Sequence, residues 1–253
     1  MFNNYILFAF LAGLFTFSIT ALGSLLVILF KSKQLNLLIG ISAGIMLSAS
    51  FFSLLEPAIE YTTNNNLNIW IFIILGFSIG CLFIYICDEL IDYISNKRYP
   101  HLSNIKGSIM LFSSITIHNI PEGLLLGVAY SSIANNNSFA SAIALTIAIA
   151  IQNFPEGSAI SIPFRKNGFS KFISFLFGSL SAIVEPIFSL IGALLVIKIQ
   201  TILPFIMSFS AGAMIFVTIL ELIPESFSYK NNNISTLFII IGFMIMMILE
   251  LII

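Results

Sequence analysis

Charge is what this chain most lacks. Asp, Glu, Lys and Arg make up 8% of its 253 residues, about a third of the ~25% usual in soluble domains. It has two histidines, two cysteines and one tryptophan. With a net charge of −1 and no basic patch interleaved with aromatics, nucleic acid is excluded as a partner. Cys81 and Cys87 lie in one apolar segment and do not share a helix face, so no disulfide framework is expected. What remains is apolar: 58% of the residues are hydrophobic, 26 of them Phe. A water-soluble core of this size cannot hide that much apolar side chain. The composition points to an all-α, polytopic membrane protein with the lipid bilayer around it.

Eight apolar segments are legible, at 4–30, 35–60, 67–93, 107–130, 138–163, 170–197, 201–226 and 234–253. Each is close to or above the ~20 residues needed to cross a bilayer. The first reads as a spanning helix and not as a signal peptide. It has no basic leading region, and its apolar run is too long; Lys31-Ser-Lys33 stops it. The connections are short, with Asn runs at 64–66, 135–137 and 231–233; the longest, about 94–106, reads as a basic loop. With the N-terminus outside, Lys31, Lys33, Lys97, Arg98, Lys106, Arg165, Lys166, Lys171 and Lys230 all face the cytoplasm. Only Lys198 faces out, a strong positive-inside bias. Both termini are therefore expected outside, with the whole of 1–253 forming one transmembrane domain.

The chain repeats itself in opposite directions. Ser-Ala-Gly-x-Met occurs at 42–46 in the second segment and at 210–214 in the seventh, each followed by a Pro/Glu pair. His-Asn-Ile-Pro-Glu-Gly at 118–123 in the fourth is echoed by Gln-Asn-Phe-Pro-Glu-Gly at 152–157 in the fifth. Because paired segments run in opposite senses, the pattern is that of an inverted-topology repeat, common in secondary transporters.

The polar residues inside these segments are the candidate site. His118 and Glu122 are four apart, on one helix face, with Asn119 beside them; Gln152, Asn153 and Glu156 repeat the geometry, and the sixth segment adds Glu185. An ionised carboxylate at mid-membrane costs roughly 2.5–3.5 kcal/mol even on the lenient insertion scale. No Lys or Arg lies at comparable depth, so protons or a bound cation must compensate. Pro121 and Pro155 deprive the carbonyls of Ile117 and Ile151 of a helical donor, and broken helices at such prolines would open carbonyls to a cation. Imidazole, carboxylate and amide oxygen suit a borderline divalent metal such as Zn, Fe, Mn or Cd; a thioether such as Met46 would favour the softer end. The three glutamates carry −3, which one or two divalent ions can balance. Glu221 and Glu225 read as either an exit site or partners of the basic residues. Glu56 and Glu60 read as an outer pair, either solvated or an entry funnel, Asp88, Glu89 and Asp92 as an interfacial face, His101 as solvated in the basic loop, and Glu250 as interfacial. One conflict stands: on straight helices with these boundaries, Glu122 and Glu156 would sit about 13 Å apart in depth.

These motifs resemble the ZIP (Zrt/Irt-like) divalent metal transporter family, its bacterial GufA-like branch in particular. The resemblance runs over essentially the full chain. "HNIPEG" followed by "QNFPEG" is specific for the family, and "SAGIMLSASFFSLLEPAIE", "VEP" at 184–186 and "SAGAMIFVTILELIPES" match the branch. It implies eight helices in a 3+2+3 inverted arrangement and transport of zinc, or of Cd, Fe or Mn, into the cytoplasm. No organic cofactor is implied. A two-metal site would lie on the fourth and fifth helices, one ion held by Met46, His118, Glu122, Gln152 and Glu156. The other would be held by Asn119, Glu122, Asn153, Glu156 and Glu185. Asn153 and Gln152 stand where some relatives have Asp and His, which leaves metal preference open. No His-rich run occupies the inner loop, which favours a bacterial plasma membrane. A homodimer is admitted as the oligomeric state. The competing readings are a metal-selective channel, which sequence does not separate from a carrier, and an intramembrane metalloenzyme. The latter needs two or three His or Cys ligands, and this chain has one intramembrane histidine.

Overall fold

In lipid every backbone polar group must be satisfied within the chain, so long apolar runs become helices. The computed structural model describes residues 2–29, 32–98, 100–133, 139–227 and 232–252. Eight helices in it are long and apolar enough to span a membrane: α1 Tyr5–Leu29, α2 Leu37–Asn64, α3 Trp70–Tyr93, α4 Ile105–Ser131, α5 Phe139–Lys166, α6 Lys171–Leu194, α7 Ile202–Ser226 and α8 Asn233–Ile252. The protein is thus an all-α, polytopic membrane protein. α3 and α8 are the least buried of the eight, α2, α4 and α7 the most. Many Leu, Ile and Phe face outward along the rim, while Ser, Thr, Ala and Met fill the inside together with a further set of Ile and Leu. Cys81 and Cys87 are free and half-buried.

The packing obeys an exchange of α1 with α6, α2 with α7, α3 with α8 and α4 with α5. The dominant pairs, α4 on α6 and α1 on α5, are images of each other under it. So are α2 on α8 and α7 on α3, and α7 on α4 and α2 on α5. Two crossings fix the register. A side chain at Gly242 would strike the backbone of Ile41, and one at Gly80 the backbone of Phe209. Ile41 and Phe209 each stand just before a Ser-Ala-Gly. In α2 a π-helical segment covers Ser50–Leu55 and in α7 another covers Thr218–Leu222. Both begin at the same distance beyond Ser-Ala-Gly, so the two copies share even this irregularity.

Two expectations do not hold. Residues 94–98 and 100–106 are helical and not loop, because regular helices run over Gly76–Arg98 and Pro100–Ser132. Nor do Pro121 and Pro155 break their helices, which continue through them. The carbonyl that Pro121 leaves without a donor, that of Ile117, instead accepts a hydrogen bond from Ser210 Oγ of α7 at 3.4 Å. The broken helix is α6, which turns at residues 181–183 between Lys171–Leu180 and Val184–Leu194. Lys31, Lys230 and the Asn run at 135–137 lie outside the described residues; for Lys33, Lys97, Arg98, His101 and Lys198 the backbone alone is described.

Candidate metal centre

The centre lies where α4, α5 and α6 meet. His118, Asn119, Glu122, Asn153, Glu156 and Glu185 are each no more than 1% exposed. His118 Nε2 lies 3.0 Å from Glu122 Oε1 and 3.3 Å from Glu156 Oε1. One ligand atom from each of these three residues falls within 4.8 Å of the others, a spacing that a single cation can bridge. The expected 13 Å depth offset is therefore absent. Part of the reason is that α5 runs on to Lys166. In addition, Cα–Cβ bonds lean toward a helix's own N-terminus. On antiparallel α4 and α5 this tilts Glu122 and Glu156 toward one another.

Glu185 comes to the centre through the break in α6. Asn119 Nδ2 donates to the Ser181 carbonyl at the turn, 3.2 Å away, and the Glu185 N–H donates to Ala182 O at 3.0 Å. A side chain at Gly123 would come within 2.7 Å of the Glu185 carbonyl; only glycine lets α4 approach this closely. Asn153 Nδ2 donates to Glu185 Oε1 at 2.9 Å.

These hydrogen bonds orient the amides. With Nδ2 of Asn119 and Asn153 used, their Oδ1 atoms are buried without a donor. So are Glu122 Oε2, both oxygens of Glu156 and Glu185 Oε2, and neither nitrogen of His118 makes an aligned hydrogen bond. Buried polar atoms are normally paired, and eight such orphans in one spot call for a cation. Among the described residues no Lys or Arg enters this cluster. Gln152 differs: its Nε2 faces Glu122 Oε1 and its Oε1 accepts from Ser53 Oγ at 2.8 Å. To ligate the same ion as Glu122, its amide must let go of that carboxylate.

The two sides of the centre are unlike. Toward the end bearing Lys106, Arg165 and Lys166, an apolar cluster that includes Met46, Ile115, Ala159, Ile160 and Met214 fills the bundle. Met46 is fully buried there. Beyond that cluster Glu221 and Glu225 line a polar cavity of about 240 Å³ with Ser108 and Asn167, and Glu225 pairs with Lys166 at 2.6 Å. Asp88 and Asp92 each hold Lys106 at 2.7 Å. Toward the opposite end a cavity of about 100 Å³ reaches from Pro57 and Leu145 down to Glu122 and Gln152, with Ser53 and Glu250 on its wall. Glu56 and Glu60, further out, are exposed. Ser53, not singled out by its sequence, is hydrogen-bonded to Glu250 near the C-terminal end of α8. The available signal was that Glu250 is the sole charged residue of α8.

Comparison with known proteins agrees with this geometry. Residues 100–250, which include every acidic and amide residue of the centre, match the family model described as ZIP zinc transporter. The chain belongs to the ZIP family. It is 31% identical to human zinc transporter ZIP11 over 96% of each chain. To zinc transporter ZIPB of Bordetella bronchiseptica it is 28% identical, over 96% of this chain and 80% of the relative. To zinc transporter GufA of Myxococcus xanthus it is also 28% identical, over 84% and 85%. ZIP proteins are divalent metal transporters and not enzymes, which disposes of the metalloenzyme reading.

Proposed function

We propose that this ZIP protein carries zinc-class divalent cations into the cytoplasm through a binuclear centre on α4, α5 and α6. The observation that carries the reading is the cluster of eight buried ligand atoms without an aligned hydrogen bond around His118, Glu122 and Glu156. His118, Gln152 and Met46 would serve one ion and Asn119, Asn153 and Glu185 the other, with Glu122 and Glu156 bridging. Two divalent ions would overcompensate three carboxylates by one charge, a bearable excess beside free amide oxygens. Zinc is the favoured cargo because the relatives are named for it and because one imidazole with carboxylates suits it; Cd, Fe and Mn compete on ligand chemistry alone. The basic end would face the cytoplasm, with both termini outside the plasma membrane, by the charge bias of the connections. Glu221 would receive the ion at that end.

Alternating access is favoured over a channel. The apolar plug at the basic end and the cavity at the other end suit a state accessible from one side only. Uptake into proteoliposomes tests this reading. Zinc flux should saturate and be competed by Cd more than by Mn, and equilibrium dialysis should find two ions per chain. Flux that rises linearly with zinc would favour a channel, and one ion per chain would remove the binuclear assignment.

A further inference from the structure

We propose that Thr16 of α1 is a positioning residue for the second ion: its hydroxyl holds the Glu185 carboxylate at the centre, so that four helices and not three build the site. Thr16 is fully buried, on a helix that runs unbroken over Phe2–Ser24. α1 is pressed onto the Glu185–Pro186 peptide. A side chain at Gly13, one turn before Thr16, would come within 2.7 Å of Pro186 Cα and 3.0 Å of the Glu185 carbonyl oxygen. From the other side Gly123 of α4 leaves as little room. The Glu185 backbone is thus clamped between two glycines, and the Thr16 hydroxyl stands within hydrogen-bonding reach of the Glu185 carboxylate.

The repeat explains why α1 faces this ion. Under the exchange of α1 with α6 and α4 with α5, α1 maps onto α6 with a constant shift: Gly13 onto Gly178, Thr20 onto Glu185 and Ser24 onto Ser189. The helix crossings obey that shift. A side chain at Gly13 would strike Ser189 Oγ, and one at Gly178 would strike Ser24 Oγ. One at Gly123 would strike the Glu185 carbonyl, and one at Gly157 the Thr20 carbonyl. Of the residues assigned to the second ion, Asn119 exchanges with Asn153 and Glu122 with Glu156. Glu185 alone has its image outside the set, in Thr20. α1 therefore offers hydroxyls where α6 offers a carboxylate. Thr20 Oγ1 donates to the Thr16 carbonyl at 3.2 Å, and Thr16 Oγ1 lies 3.1 Å from the Gly13 carbonyl. A hydroxyl has one hydrogen, and the Gly13 carbonyl keeps its bond in the helix ladder. Turning the Thr16 hydrogen to Glu185 thus leaves nothing on α1 without a partner. Asn153 Nδ2 already holds Glu185 Oε1. With Thr16 as second donor, two neutral groups fix the carboxylate and leave its other lone pairs to the ion. Groups that orient a metal ligand in this way are worth about tenfold to a hundredfold in metal affinity.

This inference rests on the binuclear reading, and the test separates the two. Zinc binding by the detergent-purified proteins is titrated by equilibrium dialysis. The proteins are wild type, Thr16→Val, Thr16→Ser, Ser24→Ala, Glu185→Gln and the double variant Thr16→Val with Glu185→Gln. Valine keeps the shape of threonine and lacks the hydroxyl. Thr16→Val should weaken one of the two binding steps about tenfold and leave the other within about twofold. Thr16→Ser should restore the weakened step to within about threefold of wild type. Ser24→Ala removes an equally buried α1 hydroxyl, one bonded to the Phe175 carbonyl, and should leave both steps as they are. In the Glu185→Gln background, Thr16→Val should cost less than about threefold. No loss in Thr16→Val, or an equal loss on both steps, would overturn the proposal. So would the full tenfold loss in the Glu185→Gln background, since Thr16 would then act through another group. If Thr16→Val elutes as aggregate, Thr16→Ala decides on the same criteria. Failure of the binuclear reading looks different: wild type would bind a single ion, Glu185→Gln would bind it equally well, and the proposal would fall with that reading.

Discussion

Replacing Glu156 by Gln keeps the shape of the side chain and removes one charge from the middle of the membrane. Its two oxygens are fully buried; Oε1 lies 3.3 Å from His118 Nε2 without an aligned hydrogen bond, and Oε2 has no hydrogen-bond partner. In the metal-free protein that charge is a burden, costing roughly 2.5–3.5 kcal/mol on the insertion scale. Glu156→Gln should therefore leave the apo protein as stable as wild type, or more stable by about 1–2 kcal/mol. Metal binding should move the other way. Taking away one partner of a buried charge pair costs about 3–5 kcal/mol; at 1.4 kcal/mol per decade the smaller figure already means about a hundredfold weaker binding. At zinc a hundredfold above the wild-type Kd, ligand stabilises the wild type by about 2.7 kcal/mol. The variant at the same zinc would gain only RT ln 2, about 0.4 kcal/mol. Thermal unfolding in detergent, with chelator and then with zinc, reads both terms. The reasoning is refuted if the variant is clearly less stable than wild type in chelator while its zinc-induced shift is unchanged, since Glu156 would then be a structural residue.

Three further outcomes follow from the geometry. Gly123→Ala places a methyl 2.7 Å from the Glu185 carbonyl; overpacking of this kind costs about 1–3 kcal/mol, and retained zinc should fall toward one ion per chain because Glu185 is displaced. Asn153→Asp exchanges a donor to Glu185 Oε1 for a fourth carboxylate. The apo protein should lose about 1–3 kcal/mol, visible as a lower Tm in chelator, and zinc should restore more stability to it than to wild type. Lys166→Met frees Glu225 from its 2.6 Å pair. Stability should change by less than about 1 kcal/mol for so exposed a pair, and the change in uptake rate reports whether that pair restrains release.

The spans were legible because a bilayer imposes one rule on every segment. The six buried residues of the centre were legible because charge and amide are conspicuous in apolar runs. What stayed hidden depends on contacts between distant segments. Pro121 read as a helix breaker because its missing N–H is visible in sequence, while the Ser210 hydroxyl that answers it belongs to α7. The break in α6 carries no Gly at the turn, only Pro186 just beyond it. The meeting of Glu250 with Ser53 stayed hidden because nothing local says that α8 packs on α2. The depth conflict came from treating helices as rods and ignoring the opposite lean of side chains on antiparallel partners. Met46 was named for its thioether; it lies in the apolar cluster next to the centre.

On the proposed function, the ion crossing the membrane passes through the His118–Glu122–Glu156 cluster. Zinc uptake into proteoliposomes by wild type and Glu122→Ala, reconstituted at equal density, measures it directly. Uptake should saturate for wild type and fall at least tenfold for the variant. Equal uptake by the two proteins would contradict it.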